Sequence, residues 1–193
     1  YKLAAIIING GTTYDHTIDN IKEFVVLRDK LTEEYKLPYK PHIHVDSVIG
    51  WSWLSFKDYD FNKNELEIST DALLPLKNQY EKISQVKLAD SWGIDFHKGV
   101  GATPADSSLI IVNKFEDISL LSKKISAKTE IHQLAQEFSS FSPVDYTLET
   151  TRAAGAALAA LVTLNVLGLN GIRRNLSNLV EQTIKMRKLI KNT

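Results

Sequence analysis

Apolar and polar positions along the chain switch between two periods. Residues 3–8 are an unbroken apolar run rich in isoleucine, the pattern of a strand buried on both faces. Asn9, Gly10 and Gly11 break it. Over 19–35 the apolar residues Ile21, Phe24, Val25, Leu27 and Leu31 recur at helical spacing, with Asp19 as the expected N-cap. Pro38 and Pro41 stop that helix, and 42–45 read as a second short strand. A strand–helix–strand unit predicts a parallel pair joined by a right-handed crossover.

Residues 50–64 are aromatic-rich and irregular; 71–84 predict a helix, 86–89 and 91–96 extended segments, and 107–112 a clean strand. A short helix or turn follows at 115–124, and the polar stretch 126–145, with serines around Phe141, reads as a mobile loop. Two helices close the chain, 148–167 and 171–191, with Gly168 as the stop between them. Strands alternating with helices predict an α/β domain with a mainly parallel sheet.

Composition narrows the class. The chain has 193 residues, enough for one well-cored domain or one and a half small ones. Lys+Arg 23 against Asp+Glu 23 leaves no net charge, so there is no electrostatic case for nucleic acid or an anionic membrane. With no cysteine, disulfides, thiolate chemistry and cysteine-ligated zinc are excluded, which fits a cytoplasmic setting. No cleavage pattern follows the first apolar run, so it is read as a strand, not a secretory signal. The most apolar stretch, 153–169, is interrupted by Thr163 and Asn165 and is read as a buried core helix, not a membrane span. The chain opens without Met inside a predicted strand, and the expectation is a fragment of a longer polypeptide.

Candidate chemistry gathers at strand ends, where open α/β sheets hold their ligands. Gly11-Thr12-Thr13 follows the first strand, Asp46 closes the second, and Lys98 follows the extended run ending at Phe96. Lys98 is an amine candidate for a Schiff base, expected to be partly desolvated so that it can be neutral; a surface lysine in a Gly-rich turn is the plainer reading. Asp46 is a carboxylate candidate for a cationic ring nitrogen, or a cap for the segment at Ser47. Thr12 and Thr13 offer hydroxyls to a ligand or simply form the turn. His97 either touches a ligand or satisfies backbone groups. His42, His44 and Asp46 alternate along one strand, a spacing that suits a metal but is explained as well by strand alternation, and no metal is expected. Trp51, Trp53 and Phe56 line a pocket or cover a core.

Taken in order, Gly11-Thr12-Thr13, Asp19, His44-Val45-Asp46, Ala89-Asp90-Ser91 and His97-Lys98 resemble the group II pyridoxal-phosphate-dependent (PLP) amino-acid decarboxylases, and Thr147 to Arg152 is similar to their glutamate- and aspartate-decarboxylase-like branch. The resemblance spans nearly the whole chain. It implies the aspartate-aminotransferase-like fold type I, with 1–147 as the C-terminal part of the PLP-binding large domain and 148–193 as helices leading into an incomplete small domain. It implies that Lys98 carries pyridoxal 5'-phosphate, that Asp46 pairs with the ring nitrogen, that Thr13 lies near the ring and Val48 under it, and that Ser91, Asp95 and His97 approach the phosphate. It implies loss of CO₂ from an L-amino acid in a homodimer with a shared active site. The family's serine-bearing phosphate loop and ring-stacking histidine have no counterpart here. Many members carry a Tyr on the loop after the lysine; this chain has none between Glu116 and Val144, leaving His132 as the expected proton donor. Arg152 either binds a substrate carboxylate, which leans toward acidic amino acids, or pairs with Glu149. Two other outcomes stay open: oxidative PLP chemistry giving an aldehyde, and an inert remnant of the fold acting as a binding subunit.

Overall fold

A computed structural model describes residues 3–100, 103–119 and 154–192. Four strands form one mixed sheet in the order β1-β2-β3-β4: β1 (Ala5–Asn9), β2 (His42–Asp46), β3 (Ser91–Asp95) and β4 (Ser108–Val112). The first three run parallel, and β4 returns antiparallel to β3. The fold is α/β with a mostly parallel sheet, as the alternating pattern predicts. Asn9, Asp46 and Gly93 lie side by side in register, so the carboxyl ends of β1 and β2 open at one edge.

Alternation explains which face is buried. Ile8, Ile43 and Val45 enter the core, where they meet Ile18, Ile21, Phe56, Ala72, Leu76, Ile83 and Val86, and Ile94 of β3 is buried as well. The opposite face carries Ile7, His42, His44 and Asp46, and Ile7 is 74% exposed. The expectation that the first strand is buried on both faces therefore holds for one face only.

Helix α1 (Ile21–Glu34) starts after Asn20, whose side chain accepts from the Glu23 N–H at 3.4 Å. Asp19 is not the cap. Its carboxylate accepts from the backbone N–H and the side-chain amide of Asn9, both at 3.0 Å, and so ties off the end of β1. After β2 comes a 3₁₀ segment, Gly50–Phe56, whose Trp51, Trp53 and Phe56 are buried. These aromatics are core, with Trp51 donating to the Asp95 carbonyl at 2.8 Å. Helix α2 (Thr70–Ile83) runs into a second 3₁₀ segment, Ser84–Leu88. Of the predicted extended segment 86–89, residues 86–88 are thus helical and Ala89 alone is extended: Val86 turns into the core after α2, and the Ala89 N–H donates to the Val86 carbonyl. Arg28 of α1 is buried and reaches Asp90 at 2.6 Å, while the same Asp90 oxygen accepts from the Ile43 N–H, joining α1, β2 and the start of β3.

After the short helix α3 (Phe115–Ser119), the described chain resumes in α4 (Gly155–Lys191). Gly168 leaves helical geometry at φ 59°, ψ −177°, so the predicted break between two helices sits where the sequence puts it. The second half packs on the core through Ile172 and Leu176. Arg173, also buried, donates to the carbonyls of Ser55 and Lys57, both at 2.6 Å, and to Asn170 at 2.9 Å, and its guanidinium lies over the Tyr59 ring. The first half departs from the expected buried core helix. Leu158, Leu161, Val162 and Val166 are all exposed in this chain. One window of α4 has a mean hydropathy of 1.7, so by length and composition alone the helix is able to cross a membrane, a test that the core helices of soluble proteins also pass.

Candidate functional site

The turn after β1 is packed too tightly for side chains. A Cβ on Gly50 would fall 1.8 Å from the Gly10 carbonyl oxygen, so the turn and the first 3₁₀ segment touch backbone to backbone. Gly11 has φ +129°. This close approach sets Thr12, Thr13 and Tyr14 beside the end of β2. On the far side, β3 ends at Asp95, and the connection to β4 folds back sharply: the Lys98 N–H donates to the Asp95 carbonyl, and Gly99 takes φ +72°.

Between these two turns lies a pocket of about 610 Å³, lined by Asn9, Gly11, Thr12, Thr13, Tyr14, His16, Asp46, Val48, Ile49, Lys98 and Gly99. Its volume falls in the range of small-molecule sites. Four sequence candidates therefore share one pocket: Lys98, Asp46, Thr13 and Val48. Thr12 is there too, but its hydroxyl donates to Asp15 and its backbone N–H to the Thr17 carbonyl, which is turn chemistry. Asn9, Tyr14, His16 and Ile49 are walls that the strand-end argument alone does not pick out.

The electrostatics of Lys98 differ from the expectation. Its ammonium is paired with the Asp95 carboxylate at 2.7 Å, and its side chain is 46% exposed. The hydrogen bond to Asp95 holds its pKa above the ordinary lysine value; slight burial opposes this, and the charges of Asp95 and Asp46 add to it. The amine is kept charged, not desolvated and neutral. Asp95 is pushed up by burial, but the bonds from Lys98 and from the Ser108 hydroxyl at 2.6 Å win and lower its pKa. Asp46 is exposed, not buried, and its Oδ1 accepts from the Val48 N–H at 3.3 Å, the local capping contact.

The proposed phosphate-side residues stand elsewhere. Ser91 opens β3 at the end remote from Lys98 and is buried, with its Oγ 2.8 Å from His42 Nε2 and 2.8 Å from His44 Nδ1. Asp95 is committed to Lys98 and Ser108. His97 Nδ1 accepts from the Ser107 N–H at 3.1 Å, and its Nε2 sits 3.6 Å from Asp95. None of the three lines the pocket, because strand pleat and the hairpin turn direct them to the sheet and the β3–β4 connection. Both imidazoles of the His-x-His pair engage Ser91; among the described residues no group of three or more His, Asp or Glu is placed to hold a metal. His132 and Arg152 lie outside the described residues, as does the predicted loop 126–145.

The pocket therefore offers a small ligand an ammonium, a carboxylate, the apolar side chains of Val48 and Ile49 and the Thr13 hydroxyl. No family model matches this chain, and no curated protein matches it.

Proposed function

We propose that the pocket binds pyridoxal 5'-phosphate and that the protein is a PLP-dependent amino-acid decarboxylase of the aspartate-aminotransferase-like fold type I. The observation that carries this reading is the meeting of Lys98, Asp46, Thr13 and Val48 in one pocket at the strand ends. An amine and a carboxylate lining one pocket suit the two ends of an aromatic aldehyde with a basic ring nitrogen. Lys98 would hold the aldehyde carbon, Asp46 would hold the ring nitrogen protonated, and Val48 would support the ring face. When bound, the group supplies an electron sink for the pair released as CO₂ leaves the substrate.

This chain's own residues set the conditions for that chemistry. Asp95 keeps Lys98 charged, so the amine becomes a nucleophile only after giving its proton up. A ligand anion entering the pocket would compete with Asp95 for that ammonium. Asp46 is exposed and lines the pocket, so its carboxylate is within reach of a ligand there. His132 is the proposed proton donor to the substrate α-carbon, Arg152 a proposed contact for an acidic side chain, and a homodimer in the cytoplasm the proposed setting.

The Lys98–Asp95 pair also favours a second reading, an inert binding subunit in which Lys98 is a structural cation. The two separate on products. The full chain with added PLP is incubated with a panel of L-amino acids, acidic ones first, and assayed for amine and CO₂. Release of both in equal amounts, lost in Lys98→Ala, supports the decarboxylase. No PLP captured at Lys98 and no product from any amino acid supports the binding subunit.

A further inference from the structure

Beside the pocket that holds Lys98, helix α2 and the second half of α4 bound a trough of about 1010 Å³. Its floor is apolar: Trp53 and Leu176 are buried there, and Val100, Val180 and Ile184 line it with them. Ile49 and Gly99 line both cavities, but Lys98 and Asp46 line only the first. The trough is therefore a separate site, independent of the PLP reading.

Its two ends differ in chemistry. Arg173 donates to the Ser55 carbonyl at 2.6 Å, so the start of this half of α4 lies against the first 3₁₀ segment. From that segment Ser52, only 2% exposed, lines the trough, and its hydroxyl makes no hydrogen bond among the described residues. A buried hydroxyl without a protein partner is open to a ligand or a water. Arg187 lines the other end; from Leu176 to Arg187 the helix rises about 16 Å, at ~1.5 Å per residue. Its neighbour Lys188 pairs at 2.6 Å with Asp71 in the first turn of α2, whereas Glu81 and Lys82 line the trough from the last turn of α2. Arg187 is thus remote from both.

The charges of the lining are not equally free. Asp15 accepts from the Thr12 hydroxyl and the Thr17 N–H, and Glu81 has Lys77 at 3.8 Å. Arg187 has no ion-pair or hydrogen-bond partner among the described residues. One turn away on α4 stand Thr183, Ile184, Ile190 and Lys191, with no carboxylate among them. We propose that the trough binds an elongated apolar acid with a hydroxyl at its far end, about the length of ω-hydroxydodecanoate. The carboxylate meets Arg187, whose planar fork suits it. The chain lies on Trp53, Val180 and Ile184, and its burial supplies most of the affinity. The terminal hydroxyl reaches Ser52. An ammonium in place of the carboxylate is repelled by Arg187.

Isothermal titration calorimetry of the full chain with ω-hydroxydodecanoate, kept below its aggregation concentration, tests this. The wild type should bind one molecule per chain. Arg187→Gln, and Thr183→Glu, which sets a carboxylate one turn from Arg187, both change exposed positions and should each weaken binding about fivefold or more. Lys82→Gln should leave it within about twofold. Dodecanoate, which lacks the hydroxyl, should bind the wild type about threefold more weakly than ω-hydroxydodecanoate, and the two acids should bind Ser52→Ala alike. Failure of the wild type to bind the acid overturns the proposal, as does an affinity unmoved by both Arg187→Gln and Thr183→Glu. Equal binding of the corresponding ω-hydroxy amine overturns it as well, and equal wild-type affinity for the two acids removes Ser52 from the site. Competition between the acid and PLP places the acid in the first pocket and overturns the separate site, whereas failure to capture PLP at Lys98 bears on the cofactor reading alone.

Discussion

Arg173 and Lys98 are both long cations at the edge of the aromatic 3₁₀ segment, and they are treated in opposite ways. Arg173 is buried, its guanidinium shared among two carbonyls, the Asn170 amide oxygen and the Tyr59 ring. Its charge is spread over fixed partners, and it fastens α4 to the core. Lys98 is nearly half exposed and holds one carboxylate at the mouth of a pocket. A buried cation whose three nitrogens all donate within the protein is structural. One with a single exchangeable partner beside a cavity is available to a ligand.

The sharpest way to break that comparison is Arg173→Met. It removes the charge but leaves the Ser55 and Lys57 carbonyls without their donor, so a loss of about 3 kcal/mol is expected, read from the urea midpoint. A loss under about 1 kcal/mol would make the two cations alike. Asn20→Ala removes the α1 cap contact and should cost about 1 kcal/mol, a local reference between the extremes. Asp95→Asn should change stability by less than about 1 kcal/mol, since its partner is partly solvated, but it should change the pH dependence. Asp95 has a lowered folded pKa, so its contribution is present above the ordinary aspartate range and is lost as pH falls through the folded value. Lys98 has a raised folded pKa, so its contribution is present below the ordinary lysine range and is lost as pH rises through the folded value. Thermal melts of wild type should fall at both ends, and Asp95→Asn should flatten both. Lys98→Met should have the smallest effect on stability, under about 0.5 kcal/mol, while removing all covalent capture of PLP.

Much of the pocket was legible from strand ends. Gly11-Thr12-Thr13, Asp46 and Lys98 each follow an apolar run, and a parallel sheet brings such ends together. The pairing of Lys98 was less so. Asp95 and Lys98 meet because the chain turns within three residues, and the only local sign is the glycine at 99. Ser91, Asp95 and His97 read as one linear run toward the lysine, but the pleat sends Ser91 to the histidines and the hairpin sends His97 to Ser107. The helical 86–88 escaped because burial of one side chain, Val86, decides the backbone there. In α4 the apolar pattern fixed the break at Gly168, but burial depends on what lies opposite, and here Leu158, Leu161 and Val166 face outward.

The central claim concerns one nitrogen, the Nζ of Lys98. The full chain is saturated with PLP, reduced with borohydride, digested and mapped by mass spectrometry. The account predicts one reduced PLP on the peptide containing Lys98, in stoichiometric amount, increased at sub-saturating PLP by Asp95→Asn and diminished by Asp46→Asn. Label scattered over surface lysines with Lys98 unmodified would contradict it.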